Sequence, residues 1–357
     1  VALIHPRSLE RWQHWQNSRH RPRQVKQAVA GAVRSRRGGE EPGADLVLHA
    51  REGEGPRLLV ALDTATPTSR AALLTALPYL RIGVDVLAPA GLAPPELAGA
   101  EWEREDVEDL PATLDGRGIT SVISAGWHLR VGRRVHDWAH EADVAAAVVQ
   151  HGALTPYAPP LPPDTTLLAW SDADAAFYRS GREDVVTRTV GSQLLWQAAH
   201  DAAGPEDDGR PVVEPGAGPV FLGQMHGAEL PRRTSARTAY RFCREQGAQY
   251  RPHPAETDAL SRAAHALMRR RGITLADPAL PLRDLRAPVV GIFSTGVLEA
   301  AVRGLPAYVY GPSVPAWVHE LWDRYDLRRW GGDPTPAPAM RPDEPARLLA
   351  QILEGAS

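Results

Sequence analysis

Cysteine is almost missing from this 357-residue chain: Cys243 stands alone. That excludes an internal disulfide and a cysteine-based zinc cluster. Its place beside the apolar positions of an expected helix makes it a structural thiol rather than a nucleophile. Lysine is equally scarce, with Lys26 the only one. A cationic clamp on phosphate or carboxylate must therefore come from arginine's planar fork or from histidine. No apolar stretch approaches membrane-spanning length and no signal-peptide pattern opens the chain, so the expectation is a cytoplasmic protein. The net charge of −3 gives no global attraction for nucleic acid.

What is present is ordinary for a globular protein, 43% hydrophobic and 23% charged residues, with length enough for two domains. Charge is uneven only at the start, where residues 1–39 carry nine Lys/Arg against Glu10 alone. Trp12 and Trp15 lie three apart in this basic segment (residues 1–45). Such a segment could rest on the anionic inner face of a membrane, which would suit a lipid-linked acceptor. The favoured alternative is a solvated helix whose tryptophans pack on the first domain.

From Arg57 onward, apolar runs alternate with helical ones. Strands are expected at Leu58–Leu62, Val84–Leu87, Thr120–Ser124, Ala145–Gln150, Thr166–Trp170 and Val185–Val190. Helices are expected at Ser69–Leu80, Val131–His140 and Asp172–Ser180. This alternation implies an α/β fold with a parallel sheet covered on both faces. Residues 201–218 are acidic, rich in glycine and proline and without period, and mark a linker. A second series follows, with strands at Val220–Gly223, Gln249–Arg251, Ile273–Leu275, Val289–Phe293 and Ala307–Tyr310. Its helices are Ser235–Gln246, Glu256–Arg271 and Val297–Arg303, with a last one at Pro342–Glu354. The expected organisation is a first domain over 1–200, a second over 219–335 and a terminal helical segment over 336–357.

Two turns in the second half carry the chemistry. One is Tyr250-Arg251-Pro252-His253-Pro254, and the other Phe293-Ser294-Thr295-Gly296. Each is expected to close a strand and open a helix, where backbone N–H groups face an anion. The prolines would fix the direction of His253. Ser294 and Thr295 offer hydroxyls to a phosphate, Gly296 a close backbone approach, and Glu299, one turn on, a carboxylate for ribose hydroxyls.

The His-Pro turn followed about forty residues later by a Ser-Thr turn resembles the paired motifs of bacterial sialyltransferases and related Kdo and Kdn transferases. The resemblance covers roughly residues 220–311 and implies the glycosyltransferase architecture called GT-B, two Rossmann-like domains facing across a cleft. It implies a CMP-activated nonulosonic acid as donor and a cell-surface or cell-wall glycan as acceptor. In this reading His253, Ser294 and Thr295 engage the nucleotide and its phosphate, with Arg251 and Pro254 in the same turn. Phe221-Leu222-Gly223-Gln224 is similar to a donor-side turn of such enzymes and adds Gln224. No metal and no cofactor beyond the donor substrate are expected.

The first half should supply the acceptor site and the base. His151, at the end of the Ala145–Gln150 strand, resembles the His-Gly turn of CDP-glycerol glycerophosphotransferases, and Asp63, after Leu58–Leu62, is the carboxylate alternative. The acidic Asp/Glu-Asp-Gly pattern of the sialyltransferase families is absent, which places His151 ahead of Asp63. Three rivals remain: a CDP-glycerol or CDP-ribitol phosphotransferase of teichoic-acid type, a UDP-sugar 2-epimerase, and an inactive assembly partner of GT-B shape.

Overall fold

The computed structural model describes residues 2–19, 45–201, 213–214, 216–224 and 228–355. The described chain forms two compact units. The first is built from segments within 2–152, 157–194 and 341–357, and the second from 153–156 and 195–340. The boundary therefore falls six residues before the expected one, inside a helix, and the terminal helix belongs to the first unit. Most of the 201–218 linker and most of the basic 1–45 segment lie outside the described residues.

In chain order the first unit contains α1 (Leu9–Arg19), β1 (Leu46–Arg51), β2 (Arg57–Ala61), α2 (Pro67–Leu73), β3 (Gly83–Pro89), β4 (Glu103–Val107) and α3 (Leu110–Leu114). It continues with β5 (Ile119–Ser124), α4 (Arg130–Glu141), β6 (Ala145–Val149), β7 (Thr166–Ala169), α5 (Asp172–Arg179) and β8 (Val186–Thr189). The helix α6 (Gln193–Asp201) runs across the division into the second unit.

The eight strands order as β4-β1-β3-β2-β5-β6-β7-β8. Six of them, from β3 to β8, are parallel as expected, but β1 pairs antiparallel with both β3 and β4. Side chains alternate across a strand, and β2 shows the result. Leu58, Val60 and Leu62 enter one core with Val84, Val86 and Ile123, while Leu59 and Ala61 enter the other with Leu87 and Val122. The helix α4 covers the second face through Val131, Val135 and Trp138. The first face is closed by α2 and by the last helix, α11 (Pro345–Gly355), through Ala346, Leu349, Ala350 and Leu353.

The expected helix over 69–80 is split into α2 and a 3-10 turn at Leu77–Tyr79, because Pro78 cannot continue an α-helical hydrogen-bond ladder. In α1, Trp12 is buried and donates from Nε1 to the Tyr157 carbonyl at 2.7 Å, and Trp15 stacks on Tyr157 at 4.7 Å. Both tryptophans thus pack on their own unit. No described helix is long and apolar enough to cross a membrane.

The second unit carries β9 (Val220–Leu222), α7 (Arg232–Gln246), β10 (Gln249–Arg251), α8 (Ala259–Arg270), β11 (Val289–Gly291), α9 (Thr295–Val302), β12 (Ala307–Val309) and α10 (Ala316–Arg324). Its sheet, all parallel, orders as β10-β9-β11-β12. The strand expected at 273–275 reduces to one bridge between Tyr250 and Leu275. The helix expected from Glu256 begins at Ala259, after Asp258 caps it by accepting from Leu260 and Ser261 N–H.

Candidate nucleotide site

In the sheet order β10-β9-β11-β12, the chain first steps from β9 to β10 and then returns to the other side of β9 for β11. The reversal makes the carboxyl ends of β9 and β11 a topological switch point, where adjacent loops part and open α/β sheets take ligands. The sequence places Gly223-Gln224 after β9, the His-Pro turn after β10 and the Ser-Thr turn after β11, so three candidate turns lie side by side on one sheet edge.

Gln224 spans the switch point. Its Oε1 accepts from the backbone N–H groups of Ile292 and Phe293, both at 3.1 Å, while its buried Nε2 has no hydrogen-bond partner among the described residues. A buried amide donor left unsatisfied costs free energy unless a ligand meets it. Ser294 caps α9, its hydroxyl accepting from Gly296 N–H at 3.2 Å. The Thr295 hydroxyl accepts from Ala153 N–H at 3.2 Å, which ties residues 153–156 into this unit. Gly296 has a packing cause: a Cβ there would stand 2.8 Å from the Leu222 side chain.

The His-Pro turn is held from within. Ala255 N–H donates to His253 Nδ1 at 3.1 Å, so the neutral ring carries its proton on Nε2. Arg251 donates to the Pro278 and Leu280 carbonyls at 3.3 and 2.5 Å, and its buried Nε has no partner among the described residues. Pro254 is exposed. Glu299 lies in α9 beside Arg303, 3.6 Å away. Burial raises its carboxyl pKa, against the lowering pull of Arg303 and Arg251.

The first unit has a switch point of its own between β2 and β5, and there the protein supplies the anion. The Asp63 carboxylate, following β2, accepts from Val131 N–H at 2.7 Å and Gly132 N–H at 2.9 Å, at the start of α4. Burial raises its pKa and those two N–H bonds oppose the rise. The carboxylate read from sequence as a possible base therefore caps a helix with both oxygens. Asp63→Ala is expected to cost about 1–3 kcal/mol of stability in urea titration, with Asp63→Asn retaining part of it.

His151 follows β6, two strands from Asp63. It is half-buried, lining a depression of the first unit with Thr68, Trp170 and Gln193. Burial lowers its pKa, and a bond to the Val149 carbonyl opposes this. A neutral imidazole with one nitrogen donating to Val149 keeps the other as a proton acceptor. The neighbouring Gln150 is fixed on all sides, with Oε1 accepting from Trp170 N–H at 2.9 Å and Nε2 donating to Asp174 at 3.1 Å.

No family model matches the sequence, and no curated protein matches it. Among solved structures, the chain is similar to S. aureus MnaA in a co-structure with UDP. That match has 13% identity and a TM-score of 0.49, over 84% of this chain and 88% of that one. A glycosyltransferase from Rickettsia africae ESF-5 matches over the same shares with 7% identity and a TM-score of 0.44. Arabidopsis thaliana UGT89C1 complexed with UDP matches at 13% identity and a TM-score of 0.34, over 70% and 65% of the two chains.

Sequence reasoning missed Tyr250 and Glu256 as members of this site. Glu256 sits beneath the His-Pro turn, accepting from His253 N–H at 3.1 Å, from the Tyr250 hydroxyl at 3.0 Å and pairing with His265 Nε2 at 2.7 Å. An acid three residues after the histidine of a Pro-x-Pro turn was the available signal, but it read as a first-turn helical residue.

Proposed function

We propose that the protein is a glycosyltransferase that binds the nucleotide of an activated sugar at the carboxyl edge of the second unit's sheet. The observation that carries this reading is the Gln224 bridge, a buried amide fixed across the switch point with its Nε2 donor unpaired among the described residues. On one side of it lies the His253 turn and on the other the Ser294-capped start of α9. His253 Nε2–H and the Ser294 and Thr295 hydroxyls are neutral donors, suited to hold a departing phosphate through preorganised dipoles. The resemblance of the His-Pro and Ser-Thr turns narrows the donor to a CMP-linked nonulosonic acid, with a cell-surface glycan as acceptor. His151 is the proposed base for the acceptor hydroxyl, since both Asp63 oxygens serve α4.

The test is thermal stabilisation by CMP set against UMP, UDP and GDP at matched concentration. Ligand at one hundred times its Kd should add about 2.7 kcal/mol, a visible rise in Tm. A CMP-selective rise lost in His253→Ala is the expected result. A rise with UDP alone transfers the site to a UDP-sugar, and no rise with any nucleotide retires the transferase reading.

A further inference from the structure

We propose that Glu256 is a positioning residue for nucleotide binding, acting through His253; the proposal rests on the nucleotide-site reading above. The Pro252–Asp258 stretch belongs to no helix. Glu256 N–H donating to the His253 carbonyl at 2.8 Å and Ala255 N–H donating to His253 Nδ1 at 3.1 Å hold it from within, and the Glu256 side chain anchors it from beneath. Glu256 Oε1 accepts the His253 backbone N–H at 3.1 Å and the Tyr250 hydroxyl at 3.0 Å, and Oε2 meets Tyr250 at 3.1 Å and His265 Nε2 at 2.7 Å. The carboxylate thus ties the turn to the end of β10 and to the buried face of α8 together. Its side chain is 9% exposed and that of His265 11%. Burial and the adjacent carboxylate push the Tyr250 hydroxyl pKa up, so tyrosine stays a donor.

Two further details show that the arrangement is built rather than incidental. Gly223, immediately before Gln224, leaves room for it: a Cβ there would lie 2.6 Å from Glu256 Oε1 and 2.9 Å from His253 N. Arg232, paired with Asp258 at 2.6 Å, also places positive charge near Glu256. A buried carboxylate with several donors costs stability to assemble unless each bond is made. One of those bonds goes to the His253 N–H itself, at 3.1 Å.

The experiment uses the full chain, with CMP and UDP as probes in calorimetric titration. Glu256→Leu should weaken binding of whichever nucleotide the wild type takes by about tenfold or more, while Glu256→Gln, which keeps an acceptor oxygen for His253 N–H, should stay within roughly threefold. In a cycle with His253→Ala the two losses should be non-additive, the double variant binding no worse than His253→Ala alone. Additive losses, or a Glu256→Leu variant binding like wild type, overturn the proposal. Should Glu256→Leu fail to fold, amide exchange in the unliganded wild type still decides: His253 N–H must be protected, and free exchange there overturns the proposal. Protection at His253 in a protein that binds no nucleotide would leave the geometry standing and end both functional readings.

Discussion

Acidification from pH 6.5 to 4 is expected to remove several kcal/mol from the stability of the first unit. His136, 5% exposed with its Nε2 2.8 Å from the Ser124 hydroxyl, has its pKa pushed down by burial to about 4. His128 is lowered to about 4 by burial, then by His151, and its buried Nδ1 has no partner among the described residues. For both groups the folded pKa lies below the unfolded one, so the unfolded chain takes up the proton first. Their contribution is complete above pH 6.5 and is lost as pH falls toward 4. Each depression to about 4 corresponds to roughly 3 kcal/mol, a large share of a total stability of about 5–15 kcal/mol. Asp63 and Asp85 act in the opposite sense, since burial raises their carboxyl pKa values and protonation relieves them as the pH falls. The histidine shifts are the larger and should dominate. Urea midpoints followed by tryptophan fluorescence at pH 7.5 and pH 5 test this. Equal midpoints would refute it, and His136→Gln, which keeps a donor toward Ser124, should flatten the pH dependence by about half.

The parts of the fold that could be read from sequence are those fixed by local pattern. Leu58–Leu62 announces a strand because burial on both sheet faces leaves an unbroken apolar run, and in Val84–Leu87 only the buried Asp85 interrupts one. The strand β4 announces nothing: Glu103, Arg104, Glu105 and Asp106 are exposed, and Val107 alone is buried. Such charge on an edge strand blocks further pairing and also hides the strand. Assignment of α11 to the first unit depends on Leu349 and Leu353 joining the core that holds Leu58 and Val84, residues far away in the chain. The helix start near residue 256 was displaced to Ala259 by Asp258, whose cap outcompetes the weaker signal of Glu256.

The site divides along the same line. His253, Ser294 and Thr295 lie in turns whose residue types declare them, and the parallel sheet sets those turns on one edge. Gln224 needed the register of β9 beside β11 before its two bonds to Ile292 and Phe293 could be seen. Asp63 illustrates the converse. At the end of a buried strand it has the address of a catalytic carboxylate, yet α4, which begins 67 residues later in sequence, claims both oxygens.

Gly223→Ala should be the most damaging single-methyl change to nucleotide binding. The φ of Gly223 lies outside the left-handed region, so the backbone itself tolerates alanine, and the obstacle is space. The added Cβ would stand 2.6 Å from Glu256 Oε1, 2.6 Å from the Tyr250 hydroxyl and 2.9 Å from His253 N. Gly223 cannot retreat easily, because its own N–H donates to the Arg251 carbonyl at 2.7 Å. The Glu256 carboxylate cannot swing aside without leaving Tyr250 and His265 unsatisfied in a buried place. Relief must come from the His-Pro turn, which moves away from Gln224 and from the Ser294-capped start of α9. Overpacking of this kind costs about 1–3 kcal/mol, and a shift near 1 Å at a preorganised donor should lower nucleotide affinity by roughly tenfold or more. The comparison variant is Gly247→Ala, where φ is +62° and no atom lies within 4 Å of the new Cβ. It should lower Tm through backbone strain alone and leave nucleotide affinity unchanged. If Gly223→Ala loses Tm but binds like wild type, the turn beside it is structural and the nucleotide lies elsewhere.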